Sequence, residues 1–428
     1  MTEIKQHTIC DGINFRSIQD TRFKTVRMSI HFMLPLEKDQ VAANALLPFI
    51  MCRASREYPD FTKLSQRLAE LYGASLSGEV QKLGDVQVMS ISMVSLADRY
   101  TLHQENLSKE LTALLCSVVF DPPFDSDGHF SKEDFLQEQR QTLETIDAEF
   151  NDKRTYAKQR CEQVMCAEER YGLRRYGSRE AVADLHREEL TEAWKHLIHN
   201  AKIEIMVLGD CNPQPVYDGF AQAFSKIDRK RLEICETEII KIAKEVREIS
   251  ETMSVAQSKL VMGFRAGAEL DTPEETAARL MVAIFGGTPH SKLFLNVREK
   301  LSLCYYCAAR FNSIKGLLFV ESGVETQNLE SAKKEILAQL DEIRKGNLKE
   351  EEIQSAKLSL CNSYRTIGDY LGGMESWYLT QTFRPRVQTP EEAAEEINQV
   401  TKEQIVEAAN RVTLDTVYQL IGNEGNAQ

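Results

Sequence analysis

The fold of this chain is indicated by a segment that occurs twice, first as Gly177-Ser-Arg-Glu-Ala-Val-Ala-Asp-Leu185 and again as Thr389-Pro-Glu-Glu-Ala-Ala-Glu-Glu-Ile397. Each copy is followed by a helical pattern and then by an alternating strand, Ile203–Gly209 after the first copy and Thr416–Gly422 after the second. A repeated order of elements is the signature of a duplicated structural unit. The sequence therefore predicts one unit that is used twice.

The beginnings of the two halves match as well. In the first half, the alternating run Thr25–Phe32 precedes an alanine-rich apolar helix, Ala42–Met51. In the second half, the strand-like run Ser258–Phe264 precedes another apolar helix, Ala277–Phe285. Strands that alternate apolar and polar side chains are half-buried and typical of antiparallel sheets. We therefore expect an α+β fold of two homologous halves, each an α/β sandwich with a mainly antiparallel sheet.

The predicted domain boundaries follow from the repeat. We expect the N-terminal domain over residues 1–225 and the C-terminal domain over residues 253–428. Residues 226–252, which lie between them, are charge-rich and lack glycine and proline. We interpret this segment as a linker that contains one strand-like or helical piece.

Composition excludes several classes of protein. The 428 residues are 42% hydrophobic and 27% charged, and their formal net charge is −13, which argues against a nucleic-acid-binding protein. The longest apolar stretch, Val41–Cys52, is too short to cross a bilayer, and the start of the chain, Met1–Cys10, has no apolar core of a signal peptide. Ten scattered cysteines are typical of thiols in a reducing cytosol. We therefore expect a cytoplasmic protein with no membrane contact.

The residues alone indicate no catalytic set. Neither His-Glu-x-x-His nor His-x-x-Glu-His occurs in the sequence. His196 and His199 share a predicted helix face, but no third ligand lies beside them, so we interpret them as partly exposed helix histidines. Cys304 and Cys307 form a lone Cys-x-x-Cys in a predicted strand, where their side chains would point to opposite faces. We therefore expect neither a redox pair nor a zinc site there.

One segment carries a specific resemblance: Gly286-Gly-Thr-Pro-His-Ser-Lys-Leu-Phe-Leu-Asn-Val-Arg-Glu-Lys-Leu-Ser-Leu-Cys-Tyr305. Its Gly-Gly loop, Ser-x-Leu-Phe, Val-Arg-Glu-Lys and Leu-x-Tyr elements resemble the C-terminal signature of the pitrilysin/insulinase metallopeptidases, the inverzincins. The duplicated halves extend this resemblance over nearly the whole chain. The length is similar to that of the small bacterial branch, in which two chains form one clamshell, and Leu71-Tyr-Gly-Ala-Ser-Leu76 resembles a Gram-positive subgroup of paired proteins. The resemblance implies that this chain is half of a clamshell.

The resemblance also implies that the zinc site is degenerate. Catalytic members carry His-x-x-Glu-His on an N-terminal helix, where two imidazoles four residues apart bind zinc and the Glu polarises the attacking water. Laid on that register, the ligand and base positions here are Ala45, Pro48 and Phe49. The family's supporting Glu matches Glu138, and the position of the distant acidic ligand falls on Thr145. We also expect Pro48 to kink the helix or to end its hydrogen bonding. This chain is therefore expected to hold no metal.

The substrate side of the family's site is retained. In the family, an Arg and a Tyr seven residues apart contact the substrate backbone and the developing oxyanion, and Arg298 and Tyr305 have that spacing. A guanidinium and a phenol are suitable donors to a carbonyl oxygen that gains charge. The resemblance places Gly286 and Gly287 in the same substrate-binding segment. From the residues alone, a surface ion pair of Arg298 with Glu299 and a half-buried strand aromatic at Tyr305 remain the alternatives.

These features lead to three hypotheses about function. The first is a proteolytically inactive subunit of a heterodimeric zinc peptidase, which binds unfolded peptides and donates Arg298 and Tyr305 to the zinc site of its partner. The partner is then a paralogous chain with an intact zinc motif, and the zinc belongs to that chain. The second is a non-enzymatic peptide-binding or scaffold protein of the same fold. The third is an independent enzyme that uses unrelated residues such as His196 and His199.

Overall fold

The computed structural model describes residues 4–234 and 236–423, which form two compact units. The first unit contains the described residues of 1–147 and 173–236, and the second contains those of 148–172 and 237–428. Residues 1–3, 235 and 424–428 lie outside the described residues. They include the outer ends of the two predicted domains and one residue of the predicted linker.

Strands of the described residues form two sheets. They are β1 (Ile4–Cys10), β2 (Ile13–Gln19), β3 (Thr25–Pro35), β4 (Ser75–Leu83), β5 (Val86–Leu96), β6 (Lys202–Gly209), β7 (Arg247–Met253), β8 (Ser258–Arg265), β9 (Cys304–Asn312), β10 (Leu317–Val324) and β11 (Thr413–Gly422). The first sheet has the order β1-β2-β6-β3-β5-β4, and the second has the order β7-β11-β8-β10-β9. The pairs β2–β6 and β7–β11 are parallel, and the other pairs are antiparallel. The prediction of mainly antiparallel sheets is confirmed.

Helices connect and cover the strands of each unit. They are α1 (Val41–Met51), α2 (Phe61–Glu70), α3 (Leu107–Phe120), α4 (Lys132–Asn151), α5 (Lys153–Met165), α6 (Arg179–Ala183), α7 (Arg187–Asn200), α8 (Gln214–Phe224), α9 (Pro273–Val282), α10 (Leu329–Arg344), α11 (Glu350–Thr366), α12 (Leu371–Thr380), α13 (Pro390–Gln399) and α14 (Lys402–Arg411). Two π-helical segments, Ala283–Gly287 and Leu293–Lys300, follow α9. Among the described helices, none is long and apolar enough to cross a membrane.

The two units share one strand topology. If β1 is set aside, the order β2-β6-β3-β5-β4 corresponds to β7-β11-β8-β10-β9, including the parallel pair at the start. Both copies of the repeated segment also begin a helix with a hydroxyl cap: Ser178 Oγ accepts from the Ala181 N–H, and Thr389 Oγ1 accepts from the Glu392 N–H. The predicted duplication is therefore present in caps, helices and strands. The strand inside the predicted linker, β7, is the counterpart of β2.

The second sheet is covered on both faces. Leu260, Met262 and Phe264 of β8 belong to the core formed with α9, α10 and α14. Val261, one of the residues between them, lies in a separate core with Cys161 and Met165 of α5 and with residues of β10 and β11. Alternate side chains of a strand point to opposite faces, so α5 covers the face that the C-terminal helices leave open. Residues 148–172 therefore pack with the second sheet, whereas the predicted boundaries kept them in the N-terminal domain.

A buried cluster of charges ties this segment to the second sheet. Arg265 Nη2 lies 2.8 Å from Glu169 Oε1, and Arg265 Nε lies 2.8 Å from Asp415 Oδ2. Lys315 Nζ lies 2.9 Å from Glu169 Oε2 and donates to the Glu238 carbonyl oxygen at 2.6 Å. The Lys315 side chain is completely buried. Ion pairs in such an environment require nearly full pairing, because each charge has lost its hydration.

We expect the substitution Lys315→Ala to destabilise the protein by about 3–5 kcal/mol, since it leaves Glu169 with one of its two cationic partners in a buried site. Thermal and urea denaturation of the purified chain measure the change. Lys195→Ala is the matched control, because Lys195 pairs with Glu192 at the surface and its side chain is 49% exposed; we expect it to cost less than about 1 kcal/mol. Equal losses of stability in the two variants would contradict a structural role for the buried cluster.

Candidate functional site

The positions of α1 that the resemblance aligns with the zinc motif form part of the first core. Ala45 is fully buried, and the Phe49 side chain packs against the same core from a partly buried position. Pro48 lies inside α1, which continues to Met51. Helix α1 therefore does not end at Pro48, and packing of its buried side chains against the core stabilises it. The Ala, Pro and Phe side chains offer no donor atom to a metal.

The edge strand β4 approaches α1 closely at Pro48. A Cβ atom placed on Gly78 of β4 would lie 2.4 Å from the Pro48 carbonyl oxygen. Only glycine leaves room for this contact, because a backbone carbonyl cannot move aside as a flexible side chain can. Helix α1 and strand β4 therefore pack closely against each other in the first unit.

The end of α1 is linked to α4 by charge. Arg53, two residues after α1, lies 2.6 Å from Asp134 Oδ1 and 2.9 Å from Glu138 Oε1. Burial raises the pKa of the Glu138 carboxyl above its usual range, and the Arg53 guanidinium partly opposes that shift. Glu138, which the resemblance aligns with the family's supporting Glu, thus forms an ion pair with Arg53. Neither the sequence spacing nor the motif indicated Arg53 as its partner.

The distant acidic position of the family's site carries no ligand here. Thr145 is exposed on α4, and its hydroxyl donates to the Gln141 carbonyl oxygen at 2.9 Å. Its neighbour Glu144 lies 3.8 Å from Arg140 in an exposed pair. In the described part of the chain, no group of three His, Cys, Asp or Glu side chains is placed to hold a metal. The residues at the family's zinc positions therefore do not fit zinc.

The histidines of the third hypothesis lie on α7. His199 is exposed, and its Nδ1 lies 2.6 Å from the Asp228 carbonyl oxygen, so this nitrogen is engaged by the backbone. Burial lowers the pKa of His196 below its usual value. Within residues 4–234 and 236–423, no carboxylate or thiol completes a metal site with these two histidines.

The second candidate region begins with the two π-helical segments. A π-helix is wider than an α-helix and frequently occurs at functional sites. Arg298 lies on the second of these segments, with its guanidinium 4.6 Å from the centre of the Phe294 ring and its Nε 3.5 Å from Glu299 Oε1. The Arg298 side chain is 41% exposed, so it remains able to contact a ligand. Its ion pair with Glu299, expected as one alternative, is present.

A β-bulge decides the position of Tyr305. Strand β10 pairs Gly323 with Tyr306 and Val324 with Cys304, so Tyr305 has no partner in the ladder. Such an extra residue bends the strand and re-aims side chains. Tyr305 is 59% exposed, and its hydroxyl donates to Glu325 Oε1 at 3.2 Å. It is therefore not the half-buried strand aromatic of the alternative interpretation.

Arg298 and Tyr305 line one surface cavity of about 420 Å³ in the second unit. Ser302 lies between them in a left-handed conformation, with a φ of 50°. The hydrogen bond to Glu325 and the charge of that carboxylate raise the pKa of the Tyr305 phenol, so it stays a protonated donor at neutral pH. The remaining lining residues are Glu299, Leu303, Cys304, Glu325 and Asn328. The spacing of Arg298 and Tyr305 thus brings two donors to one place.

Gly286 and Gly287, which are predicted to bind substrate, lie outside the cavity of Arg298 and Tyr305. A Cβ atom on Gly286 would lie 2.7 Å from the side chains of both Ala309 and Leu293, so Gly286 allows the π-helical turn to pack on β9. Gly287 is exposed. Neither glycine lines the cavity of Arg298 and Tyr305. The structure therefore gives Gly286 a packing role.

The prediction that Cys304 and Cys307 point to opposite faces of the strand is wrong. Both Cys304 and Cys307 are buried in the core of the second unit. Residues three apart in a regular strand would face opposite sides, but the extra residue Tyr305 shifts the alternation by one, so both thiols reach the core face. The sequence carried no signal for this bulge, because it depends on the register with β10.

The fold and the site together indicate a duplicated metallopeptidase-like protein in which the positions aligned with the zinc motif carry Ala45, Pro48 and Phe49. A protein-family model described as "Peptidase M16 inactive domain" matches residues 184–360. The chain is 33% identical to "Probable inactive metalloprotease YmfF" of Bacillus subtilis (strain 168) over 97% of both chains. It belongs to the M16 peptidase family, the pitrilysin/insulinase family of the resemblance.

Solved structures agree with this assignment. A conserved protein from Enterococcus faecalis V583 is 30% identical and superposes with a TM-score of 0.92 over 99% of both chains. A peptidase M16 inactive domain from Pseudomonas fluorescens, 15% identical, superposes with a TM-score of 0.77 over 100% of both chains and shows the shared fold. The chain is therefore an inactive M16 peptidase-like protein.

We expect Gly78→Ala to destabilise the protein by about 1–3 kcal/mol, because the added methyl group meets the Pro48 carbonyl oxygen. Urea denaturation measures the loss. Gly372→Ala is the control: a Cβ atom there meets nothing closer than 3.7 Å, and the residue lies in α12, where alanine is the better helix former. A Gly78→Ala variant as stable as the wild type would contradict the close contact of α1 and β4.

We expect the purified chain to retain no stoichiometric zinc after incubation with the metal and desalting, since the family's ligand positions hold Ala45, Phe49 and Thr145. Elemental analysis by mass spectrometry measures the zinc content, and an M16 protein with an intact His-x-x-Glu-His motif is the positive control. Stoichiometric zinc that is lost in His196→Ala would favour the independent-enzyme hypothesis instead.

Proposed function

We propose that this chain is the proteolytically inactive subunit of a heterodimeric zinc peptidase. One observation carries the proposal: Arg298 and Tyr305 converge on one cavity, whereas Ala45, Pro48 and Phe49 occupy the zinc-motif positions. A chain with donors and without metal ligands complements a paralogous chain that has an intact zinc motif. The zinc and its activated water then belong to the partner subunit.

The proposed contribution of this chain is hydrogen bonding to the peptide at the reacting carbonyl. The guanidinium of Arg298 donates to a carbonyl oxygen of the substrate backbone, and the Tyr305 hydroxyl exchanges its bond to Glu325 for one to the developing oxyanion. Both donors are charged or protonated at neutral pH, so they need no proton transfer to act. A carboxylate that holds the tyrosine hydroxyl before substrate arrives keeps it oriented at the rim of the cavity.

The substrate class in this proposal is an unfolded peptide. Strand β9 lies at the edge of the second sheet, with β10 on one side. An extended peptide that adds to such an edge is bound by backbone hydrogen bonds and therefore with little demand on its sequence. Because β9 also carries Tyr305, a peptide on this edge lies next to the proposed donor. The free cysteines of the described residues agree with action in the cytoplasm.

The test is reconstitution with a paralogous chain that carries His-x-x-Glu-His and is encoded by the same genome. We expect the mixture to form a complex and to cleave an unfolded fluorogenic peptide, and we expect Tyr305→Phe in this chain to lower kcat about 100-fold, as the loss of one oxyanion donor does. Arg298→Ala is expected to reduce kcat/KM in the same mixture.

Controls for this experiment are Arg365→Ala and Tyr370→Phe, which change exposed residues of the same types that do not line this cavity. Cleavage that is unchanged in both Arg298→Ala and Tyr305→Phe would refute the donor role. If no complex forms and no peptide is cleaved, the alternative of a peptide-binding or scaffold protein replaces the proposal.

A further inference from the structure

The proposed function leaves one reactive feature of the cavity unused, the thiols of Cys304 and Cys307. The bulge at Tyr305 brings both sulfur atoms to one face of β9. Cys304 also lines the cavity of Arg298 and Tyr305, so this residue is approached from the cavity although it is only 8% exposed. Cys307 is more deeply buried than Cys304 and is 4% exposed.

The two thiols differ in acidity. Interaction with the neighbouring Cys307 thiol, together with the charge of Arg298, lowers the pKa of Cys304 against the effect of burial. The same contact raises the pKa of Cys307. A nucleophilic thiolate beside a protonated second thiol is the arrangement of attacking and resolving cysteines.

Four other thiols among the described residues, those of Cys10, Cys52, Cys116 and Cys211, lack this environment. Burial raises the pKa of Cys52, Cys116 and Cys211, so these thiols stay protonated. Cys10 is exposed, but its pKa is also raised, first by partial burial. Among these thiols and Cys304, only Cys304 combines access from a cavity with a partner thiol on its own strand.

We propose that Cys304 and Cys307 form a peroxide-sensitive modification site that closes into an intrachain disulfide. The Cys304 thiolate attacks one oxygen of a hydroperoxide, the O–O bond breaks, and the other oxygen leaves with a proton as water or an alcohol. The Cys307 sulfur then attacks the sulfenic acid of Cys304, an S–S bond forms, the S–O bond breaks, and the hydroxyl leaves with the Cys307 proton as water. The two thiols are oxidised and the peroxide is reduced.

Disulfide closure affects the cavity because Tyr305 lies between the two cysteines. A disulfide requires an S–S distance of about 2.05 Å and Cα atoms within roughly 7 Å of each other, which is shorter than the span of three residues in an extended strand. Closure therefore draws the ends of the bulge together and moves Tyr305 away from Glu325. This consequence for peptide cleavage rests on the proposed function, whereas the disulfide chemistry does not.

The chemistry is tested on the full chain by treatment with submillimolar hydrogen peroxide, unfolding in an alkylating agent, and tryptic mass spectrometry. Cleavage after Lys300 and Arg310 yields one peptide, Leu301–Arg310, that contains both cysteines and no other. We expect this peptide to lose two hydrogens and to resist alkylation until it is reduced, at a peroxide dose that leaves Cys10 alkylated. Oxidation spread equally over the cysteines, or an unchanged Leu301–Arg310 peptide, would overturn the proposal.

Two variants separate the roles of the thiols. In Cys307→Ser, Cys304 is expected to accumulate as a sulfenic acid that dimedone captures, and in Cys304→Ser, Cys307 is expected to stay reduced. In the wild-type chain, native iodoacetamide labelling of Cys304 should reach half its maximal rate at a lower pH than labelling of an ordinary cysteine, because the pKa of Cys304 is lowered. This measurement needs no substitution, so it decides the assignment even if a variant misfolds. Preferential labelling of Cys307 would contradict the assigned roles.

The consequence for function is measured separately in the reconstituted mixture. We expect peroxide to lower peptide cleavage, reduction to restore it, and Cys304→Ser to abolish the sensitivity. If the Leu301–Arg310 disulfide forms but cleavage never occurs in any mixture, the proposed peptidase role fails and the thiol site stands. If cleavage occurs and the disulfide does not form, the thiol site fails alone.

Discussion

The second unit depends on the buried ion cluster of Arg265, Lys315, Glu169 and Asp415. Charges without hydration are tolerated only when they are paired, so the cluster permits one arrangement of the segments that supply it. These segments are the turn after α5, the end of β8, the turn before β10 and the start of β11. The cluster therefore fixes α5 on the open face of the sheet and sets the position of β10, against which β9 is aligned.

The alignment of β9 on β10 in turn decides the chemistry of the cavity. One unpaired residue, Tyr305, exposes a phenol beside Arg298 and turns Cys304 toward Cys307. A regular strand of the same sequence would separate the two thiols and bury the tyrosine with one of them. The positions of the Tyr305 hydroxyl and of the two thiols thus depend on the same β-bulge. For this reason, a disulfide between Cys304 and Cys307 is expected to displace Tyr305.

The two units have diverged in what they retain. In the first unit, the helix of the family's zinc motif persists as a packing element whose neighbour Gly78 touches Pro48, and Glu138 persists as the partner of Arg53. In the second unit, Arg298 and Tyr305, the proposed donors, line one cavity. Helix α1 keeps its place without a metal ligand, because burial of its apolar side chains stabilises it.

The sequence by itself determined the duplication, the α+β class, and the strands and helices of the repeated runs, because these follow from periodicity and hydroxyl caps. The side chains at Ala45 and Phe49, which the resemblance aligns with the zinc motif, also exclude metal ligands by their own chemistry. Tertiary structure alone decided that residues 148–172 pack with the second sheet, that Glu138 meets Arg53, and that the thiols share a face. The physical reason is that these features depend on contacts between segments distant in sequence and on the register of one strand against another. The local sequence pattern predicts which side chains of a strand face the core and which face outward. A bulge that shifts this alternation by one residue depends on the pairing with the partner strand.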